Sequence, residues 1–386
     1  MTIRYTRLNS SWFIISKKTK FLFKLLFILL ILSTIIFFLT YNVTLNLRIY
    51  LKDWITNEEF GREALSSYGC FSKNVSENDQ KKIYDGPKIV YNEIVPPTPL
   101  TEAWDCYDFA NRIRLLPGQP REHVVFHSYW RIDLKEIGEK QIATLRSFFA
   151  TQDNNYSSLI LWSNGNLSND KGLEPFFEKY PDRFSTRLYE VEKESSGTPI
   201  ENSQYINIKD DLAYLDGDLV RLLVLYKYGG VWFDMDSLFI RDFSPLVEHE
   251  WVGQWDCFIP DGFPFNGAFM RFRKNSPYVC EMLSEIHNGP QPGKNSFNWG
   301  SYLYLKIYRR LIQNGKQPFK IIPWCFTDSH VCRPSNSMPS AFEENDGFNK
   351  DRLLQTFAYH WHNQWEKKPG SLFRFLEERH KVLDLE

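Results

Sequence analysis

The sequence predicts an α/β domain with a mostly parallel sheet flanked by helices, preceded by one membrane-spanning helix. Three features predict it: an apolar run near the N-terminus, strand-like segments that alternate with helix-like ones from residue 122 onward, and an apolar helix that ends at two glycines before a short β-prone run. Alternating strands and helices produce a parallel sheet covered by helices. The chain has 386 residues, enough for one large domain or two small ones.

The first predicted element is a transmembrane helix over residues 21–41. Only Lys24 is charged in this run, and about 20 apolar residues in a helix span a bilayer. Six basic residues precede position 25, whereas only Arg48 and Lys52 follow closely, so residues 1–20 are expected to be cytosolic. A cleaved signal peptide is an alternative, but the run is long, begins late and has no small-x-small cleavage site after it. A buried core helix is disfavoured because the run is apolar on every side.

This orientation predicts a single-pass type II protein with a lumenal domain. All six cysteines follow the span, which suits disulfides in an oxidising lumen. Six cysteines allow fifteen connectivities, among which the sequence does not choose; Cys325 and Cys332 are close enough in sequence for a local pair, which is one expectation. Glycosylation sequons at Asn74, Asn155 and Asn166 agree with that location and predict a glycoprotein. We therefore expect the membrane of the Golgi apparatus or the endoplasmic reticulum.

Beyond the span, the sequence divides into a stem and a folded domain. Residues 42–121 are polar in places and rich in proline at 95–99, which predicts a lumenal stem. Residues 122–386 are expected to fold as one α/β domain. The strand candidates are 123–126, 158–162, 187–191 and 231–233, and the helix candidates are 135–150, 175–180 and 216–228. The formal net charge of −1 gives no support to a nucleic-acid partner.

The chemistry is expected where the run Val231-Trp232-Phe233 ends, at Asp234 and Asp236. Side chains alternate along a strand, so both aspartates point the same way and Met235 points towards the core. Adjacent carboxylates repel each other unless a cation lies between them, and Mg²⁺ or Mn²⁺ prefers such oxygen ligands. The pattern predicts a divalent-cation site at the carboxyl end of a strand, where a nucleotide diphosphate would bind and the ion would act as a Lewis acid.

A lone Asp-x-Asp pair is a weak signal, and the sequence contains a second one at Asp216 and Asp218. Its context strengthens the first pair. Asp218 and Arg221 lie three residues apart, on one face of an otherwise apolar helix. Buried charges are costly unless they pair or bind a ligand. Two interpretations follow: an internal salt bridge, or two groups that reach the hydroxyls of a bound sugar.

The runs Gly217-Asp218-Leu219-Val220-Arg221 and 225–236, with the Gly229-Gly230 turn and the Asp-x-Asp pair, closely resemble the sugar-binding region of the DXD glycosyltransferases. This is glycosyltransferase family 32, with relatives among α-1,4-galactosyltransferases and fungal initiating α-1,6-mannosyltransferases. Gly217 stands where that family usually has serine.

The resemblance implies a GT-A fold with a Rossmann-like sheet. By analogy, Asp236 would bind Mn²⁺ or Mg²⁺, Asp234 would contact the ribose or sugar and support the metal, and Asp218 and Arg221 would orient the transferred sugar. The family retains anomeric configuration, so no dedicated nucleophile is required. Catalysis would rest on positioning and on charge stabilisation.

Fainter similarity extends on both sides of this region. In the segment 127–130, Trp130 would stack on the base of the donor and His127 would line the same pocket; the alternative is a core Trp and an ordinary His. Asn266 lies in a segment that often faces the acceptor. His360, in the closing segment 359–365, is a candidate metal or diphosphate contact, or a structural histidine.

The sequence therefore predicts an enzyme that transfers a hexose or N-acetylhexosamine from a UDP- or GDP-sugar to a glycan or glycolipid. Three alternatives remain. A catalytically inactive relative would bind a nucleotide-sugar or glycan but not transfer it. A metal-dependent hydrolase would require more His or Asp ligands close to Asp234 in sequence, and none lie nearby. A purely structural membrane protein would leave the spacing of the aspartates and Arg221 unexplained.

Overall fold

The computed structural model describes residues 17–41, 64–65, 70–71, 89–97, 100, 104–255, 257, 265–330, 332–333 and 335–384. The chain divides into two compact units, residues 1–61 and 62–386.

The first unit contains helix α1, Lys17–Thr40. It has 24 residues, and an 18-residue stretch of it has a mean hydropathy of 2.8, so the helix is long and apolar enough to cross a membrane. None of its side chains is buried. The predicted apolar helix is confirmed and begins four residues earlier than expected. Its orientation stays a prediction, since Arg4, Arg7, Arg48 and Lys52 lie outside the described residues.

The second unit alternates helices and strands. In chain order the elements are α2 (Asp105–Arg112), β1 (Val124–Trp130), α3 (Glu139–Thr151), β2 (Ser157–Ser163), α4 (Glu174–Lys179), β3 (Phe184–Leu188), α5 (Val191–Ser195), α6 (Leu215–Tyr228), β4 (Gly230–Phe233), β5 (Ser237–Phe239), β6 (Trp251–Gln254), β7 (Phe265–Phe272), α7 (Pro277–Asn288), α8 (Ser301–Gln313), β8 (Lys320–Ile322), α9 (Lys350–Leu353), β9 (Ala358–His360) and α10 (Ser371–Leu383). Short 3-10 helices cover Ser244–Leu246 and Trp324–Phe326.

Seven strands form the central sheet, in the order β3-β2-β1-β4-β7-β6-β8. Strand β7 runs antiparallel to both neighbours, β4 and β6, and every other pair is parallel. The predicted mostly parallel α/β sheet is therefore confirmed. The candidate strands and helices lie within a few residues of β1 to β4, α3, α4 and α6.

Both faces of the sheet are covered, so the inner strands are apolar on both sides. On one face, Val231 and Phe233 of β4 pack with Phe148 of α3 and with α10. On the other face, Trp232 packs with Leu222 of α6 and with α7 and α8. This alternation along β4 determines which way the residues after it point.

A second, two-stranded sheet lies next to the end of β4. Strand β5 pairs antiparallel with β9, and the register places Ser237 opposite His360. The backbone N–H of Trp361 also donates to the carbonyl oxygen of Asp236, at 2.9 Å. This pairing brings the closing segment of the chain to the Asp-x-Asp pair.

Three disulfides connect distant parts of the second unit: Cys70–Cys280, Cys106–Cys325 and Cys257–Cys332. The predicted local pair of Cys325 with Cys332 is wrong. The 3-10 helix Trp324–Phe326 packs against α2, and this packing points Cys325 at Cys106. Cys332 instead reaches Cys257, 75 positions earlier.

The predicted stem, residues 42–121, is described only in part. All of its described residues belong to the second unit, which begins at Arg62. The backbone N–H groups of Tyr91 and Asn92 donate to the carboxylate of Glu248, and Tyr107 of α2 is fully buried. These contacts fix residues 89–97 and α2 on the domain, and a stem function stays a prediction.

Candidate functional site

The turn between α6 and β4 is possible because two glycines occupy it. Gly229 and Gly230 have φ of 67° and 106°, in the left-handed region that glycine tolerates. A Cβ on Gly230 would lie 2.0 Å from the carbonyl oxygen of Val125, so no other residue fits. The turn directs β4 between β1 and β7, and Asp234 follows directly after it.

His127 of β1 forms a hydrogen bond to this turn. Its Nε2–H donates to the carbonyl oxygen of Gly229 at 3.0 Å, and its Nδ1 accepts from the indole N–H of Trp162 at 3.2 Å. The ring is fully buried, and burial lowers the pKa of His127 to about 3, so the ring is neutral. The predicted nucleotide contact of His127 stays a prediction, but in this structure both ring nitrogens already have partners within the protein.

Asp234 is held by three side-chain hydrogen bonds. Nη2 of Arg221 donates to its two carboxylate oxygens at 2.9 and 3.1 Å, and the indole N–H of Trp232 donates to Oδ1 at 2.7 Å. The guanidinium also lies 5.4 Å from the centre of the Trp232 ring. The side chain of Asp234 remains 29% exposed, so the carboxylate is both fixed and accessible to a ligand.

Arg221 also binds Asp218. Its Nη1 donates to Oδ1 of Asp218 at 2.6 Å and to the hydroxyl of Tyr304 at 3.1 Å. Burial raises the pKa of Asp218 to about 7, even though the neighbouring guanidinium acts in the opposite direction. The internal salt bridge that the spacing predicted is therefore present, and it includes Asp234. Whether Asp218 and Arg221 also contact a sugar stays a prediction.

Two glycines press against this ion-pair network. A Cβ on Gly267 would lie 2.3 Å from Nη1 of Arg221, and one on Gly300 would lie 2.7 Å from Oδ2 of Asp218. Gly217, in contrast, has open space around its Cα. Tyr304 and these two contacts were not predicted from the sequence.

The second Asp-x-Asp pair is split between two environments. Asp216 forms an ion pair with Arg131 at 3.2 Å, and Arg131 also binds Asp133 at 2.7 Å. Asp216 therefore faces away from the Arg221 network, and only Asp218 of this pair joins it.

Asp236 is buried next to the closing segment of the chain. Its Oδ2 lies 3.2 Å from Nε2 of His360 and accepts the backbone N–H of Asn363 at 2.6 Å. Met235 packs into the core between the two aspartates, as strand alternation predicted. One ligand atom from each of Asp234, Asp236 and His360 lies within 4.8 Å of the other two.

A second acidic residue, Asp328, lies behind His360. Its Oδ1 is 2.7 Å from Nε2 of His362, and its Oδ2 accepts from the amide of Asn266 at 2.7 Å. The same Oδ2 is 3.5 Å from Nδ1 of His360. Asp328, His360 and His362 also have ligand atoms within 4.8 Å of one another.

The two buried carboxylates control the charge of His360. Burial alone would lower its pKa, but Asp236 and Asp328 outweigh that effect and raise it to about 10. Burial would raise the pKa of Asp236 and of Asp328, yet the neighbouring histidines hold both below their usual range. Two carboxylates and an imidazole suit a divalent cation such as Mn²⁺. Asp234, Asp236 and His360 therefore fit the predicted metal site.

The remaining predicted residues lie around this cluster. Asn266 contacts Asp328 and lies 3.1 Å from Nδ1 of His360, and its acceptor-side role stays a prediction. Trp130 donates its indole N–H to the carbonyl oxygen of Lys135 at 2.7 Å and packs edge-on against Trp365, 4.9 Å between ring centres. Its stacking on a base stays a prediction.

The central part of this site lies in a segment that is similar to a known family. Residues 139–252 match the family model described as "Glycosyltransferase sugar-binding region containing DXD motif". The matched segment contains Asp218, Arg221, Asp234 and Asp236. This segment is therefore similar to the sugar-binding region of DXD glycosyltransferases. Within that region, the Arg221 network and the Asp-x-Asp pair are the polar centre, and His360, Asp328 and Asn266 are added from outside it.

Two curated proteins share shorter or weaker similarity. An uncharacterized protein of Arabidopsis thaliana is 41% identical over 70 residues, which are 18% of this chain and 10% of that protein. A toxin of Photorhabdus asymbiotica is 24% identical over 189 residues, 47% of this chain and 6% of the toxin. The chain thus spans a tenth or less of the length of these relatives.

Among solved structures, the PaToxG glycosyltransferase overlays with a TM-score of 0.33 and 18% identity. The overlay covers 55% of this chain and 85% of that one.

Proposed function

We propose that the protein is a metal-dependent glycosyltransferase. It transfers a hexose or N-acetylhexosamine from a UDP- or GDP-sugar to a glycan or glycolipid acceptor, with retention of anomeric configuration. The observation that supports this most directly is the convergence of Asp234, Asp236 and His360 at the end of β4, beside the buried Arg221 network.

The proposed role of Arg221 and Asp218 is to hold the transferred sugar. Arg221 and Asp218 are both largely buried, whereas Asp234 is partly exposed. A sugar hydroxyl that reaches Asp234 would meet a carboxylate whose position is fixed by Arg221 and Trp232. Catalysis by positioning requires such pre-organised groups. This network therefore supports binding of a polar, hydroxyl-rich ligand in a fixed orientation.

The proposed metal ligands are Asp234, Asp236 and His360. A bound Mn²⁺ or Mg²⁺ would supply Lewis-acid stabilisation of the charge that develops on the leaving diphosphate. In the proposed step, the bond between the anomeric carbon and the diphosphate oxygen breaks as the acceptor oxygen attacks from the same face. The acceptor's proton passes to the leaving diphosphate, so no protein nucleophile is needed.

The anchored, lumenal location in the Golgi apparatus or the endoplasmic reticulum is part of the proposal. It rests on the apolar helix α1, on the even number of cysteines and on three disulfides that join distant segments. Disulfides persist in oxidising compartments such as the secretory lumen. Membership of glycosyltransferase family 32 is likewise proposed, on the motif similarity at 217–236.

The full chain, purified in detergent, would be assayed against a panel of UDP- and GDP-sugars with Mn²⁺, with Mg²⁺ and with excess chelator. We expect release of UDP or GDP only when a divalent cation is present, and loss of that release in Asp236→Asn. Asp242→Asn is the matched control, because that carboxylate contacts Ser244 outside the site.

Two results would contradict parts of the proposal. Nucleotide binding without turnover of any donor, with or without added acceptors, would favour a catalytically inactive relative. Full activity of Asp236→Asn would remove Asp236 from the metal site. The anomeric configuration of the product, determined by NMR, tests retention separately.

A further inference from the structure

Asp328 is the one described carboxylate that contacts two histidines of the cluster at once. Its side chain is 1% exposed. Oδ1 faces Nε2 of His362 at 2.7 Å, and Oδ2 faces Nδ1 of His360 at 3.5 Å and the amide of Asn266 at 2.7 Å. A buried carboxylate is stable only when such groups satisfy it. Asp328 therefore orders the two histidines and Asn266 relative to one another.

The orientation of Asn266 limits what Nδ1 of His360 can do. The backbone N–H of Ala268 donates to Oδ1 of Asn266 at 2.9 Å, so the amide NH₂ faces Asp328 and His360. An NH₂ group only donates, and a carboxylate only accepts. When a cation binds Nε2 of His360, the ring proton must lie on Nδ1, and Asp328 is the group facing Nδ1 that can accept it.

We propose that Asp328 is a positioning residue of the metal site, which accepts the Nδ1–H of His360 when Nε2 of that ring binds the cation beside Asp236. A histidine that binds a metal commonly donates its other ring N–H to a carboxylate, which fixes the tautomer and the ring orientation. This inference rests on the proposed metal site at Asp234, Asp236 and His360.

The neighbouring group Asp328, His360 and His362 is a second possible position for the cation. The contacts of His362 and His360 distinguish it from the proposed site at Asp234, Asp236 and His360. Nε2 of His362 faces Asp328 at 2.7 Å, while its ring packs edge-on against Trp255. Nε2 of His360 points instead at Asp236, at 3.2 Å. The geometry assigns the cation to the Asp236 side, with Asp328 and His362 behind it.

The test measures the binding of Mn²⁺ to the full chain in detergent by isothermal titration calorimetry. The electron spin echo of bound Mn²⁺ adds a second readout, because a coordinated imidazole gives nitrogen hyperfine coupling. We expect the wild-type protein to bind Mn²⁺ with that coupling and His360→Ala to lose it. Asp328→Asn should bind Mn²⁺ about 10- to 100-fold more weakly than the wild type. The amide NH₂ of the variant would face a group that now donates to Asp328, and it could not accept that group's hydrogen.

Two controls separate positioning from general damage. His362→Gln should keep the nitrogen coupling and most of the affinity, because His362 lies behind the proposed site. Asp242→Asn, outside the site, should match the wild type. If Asp328→Asn does not fold, Asp328→Glu keeps the charge but moves the carboxylate, and the same weakening is expected.

Three results would overturn the inference. Unchanged Mn²⁺ affinity in a folded Asp328 variant would make the residue merely structural, with the proposed function intact. Loss of nitrogen coupling in His362→Gln would place the cation at the second possible position. Failure of the wild-type protein to bind Mn²⁺ would overturn the proposed metal site itself, and the inference with it.

Discussion

Arg221 donates from one nitrogen to both carboxylate oxygens of Asp234, at 2.9 and 3.1 Å, across the turn that joins α6 to β4. Its other terminal nitrogen holds Asp218 on its own helix. One guanidinium therefore joins the aspartate of the helix to the aspartate at the end of the strand. The planar fork of arginine suits this double contact, and lysine cannot reproduce it.

Arg221→Lys should therefore damage both stability and donor turnover. An ammonium cannot reach both carboxylates in this geometry, so one of them loses its buried partner. We expect the free energy of unfolding to fall by about 1–3 kcal/mol and donor hydrolysis to fall more than in the control. Arg187→Lys is that control, because Arg187 is exposed and lies over Trp162 and Tyr228. Equal effects of the two substitutions on turnover would contradict the prediction.

Gly300→Ala and Gly217→Ala form a matched pair on either side of Asp218. The new methyl at 300 would lie 2.7 Å from Oδ2 of Asp218, whereas the one at 217 meets open space. We expect Gly300→Ala to reduce donor turnover by displacing Asp218. Gly217 lies within helix α6, so Gly217→Ala should leave turnover unchanged and raise stability by up to about 1 kcal/mol. Kinetics and thermal unfolding of both variants would show the contrast, and its absence would count against the tight packing at Gly300.

His127 predicts a loss of stability in acid. Burial lowers its folded pKa to about 3, against 6.5 for the free side chain, so the unfolded chain binds the proton more readily. The neutral His127 ring contributes to the free energy of unfolding fully above pH 6.5. This contribution is lost as the pH falls towards 3, by at most about 1.4 kcal/mol per pH unit. His127→Gln removes this titration. Burial also lowers the pKa of His380 to about 3, but His380 is present in both the wild type and the variant, so its effect cancels in the comparison.

The measurement is the free energy of unfolding of the wild type and of His127→Gln between pH 7 and pH 4. We expect the wild-type value to fall more steeply, so that the two curves converge or cross in acid. Parallel curves would show that His127 is protonated in the folded protein.

The disulfide between Cys106 and Cys325 closes a separation of 219 residues. Replacing both cysteines with serine should lower the free energy of unfolding by about 2–5 kcal/mol and loosen α2 from the helix that carries Cys325. Peptide mapping without reduction should recover Cys106 joined to Cys325 and Cys257 joined to Cys332. A peptide that joins Cys325 to Cys332 would contradict the observed pairing.

Local patterns in the sequence predicted the central sheet because its first strands are long enough to show them. Strands β1 and β2 have seven residues each and α6 has fourteen, so apolar runs and the glycine stop are visible. Strand alternation also predicted that Met235 would turn into the core between Asp234 and Asp236, and it does. Strands β5, β8 and β9 have three residues each, too few for a period.

The parts of the site that the sequence did not reveal are contacts between distant segments. Asp328 follows a 3-10 helix and has no motif of its own, and Tyr304 is one aromatic among several on α8. Cys325 pairs by packing and not by proximity in sequence. The Asp218–Arg221 spacing did predict a salt bridge, but the inclusion of Asp234 depends on how the Gly229-Gly230 turn folds back.

The pairing of β5 with β9 brings His360 to Asp236 from the far end of the chain. During synthesis the two aspartates emerge long before this histidine, so the nascent chain presents Asp236 without its imidazole partner. Any product that stops short of β9 would keep the complete DXD motif and lack His360, the proposed third metal ligand. The motif alone is therefore a poor guide to whether a truncated transcript of this protein encodes a working site.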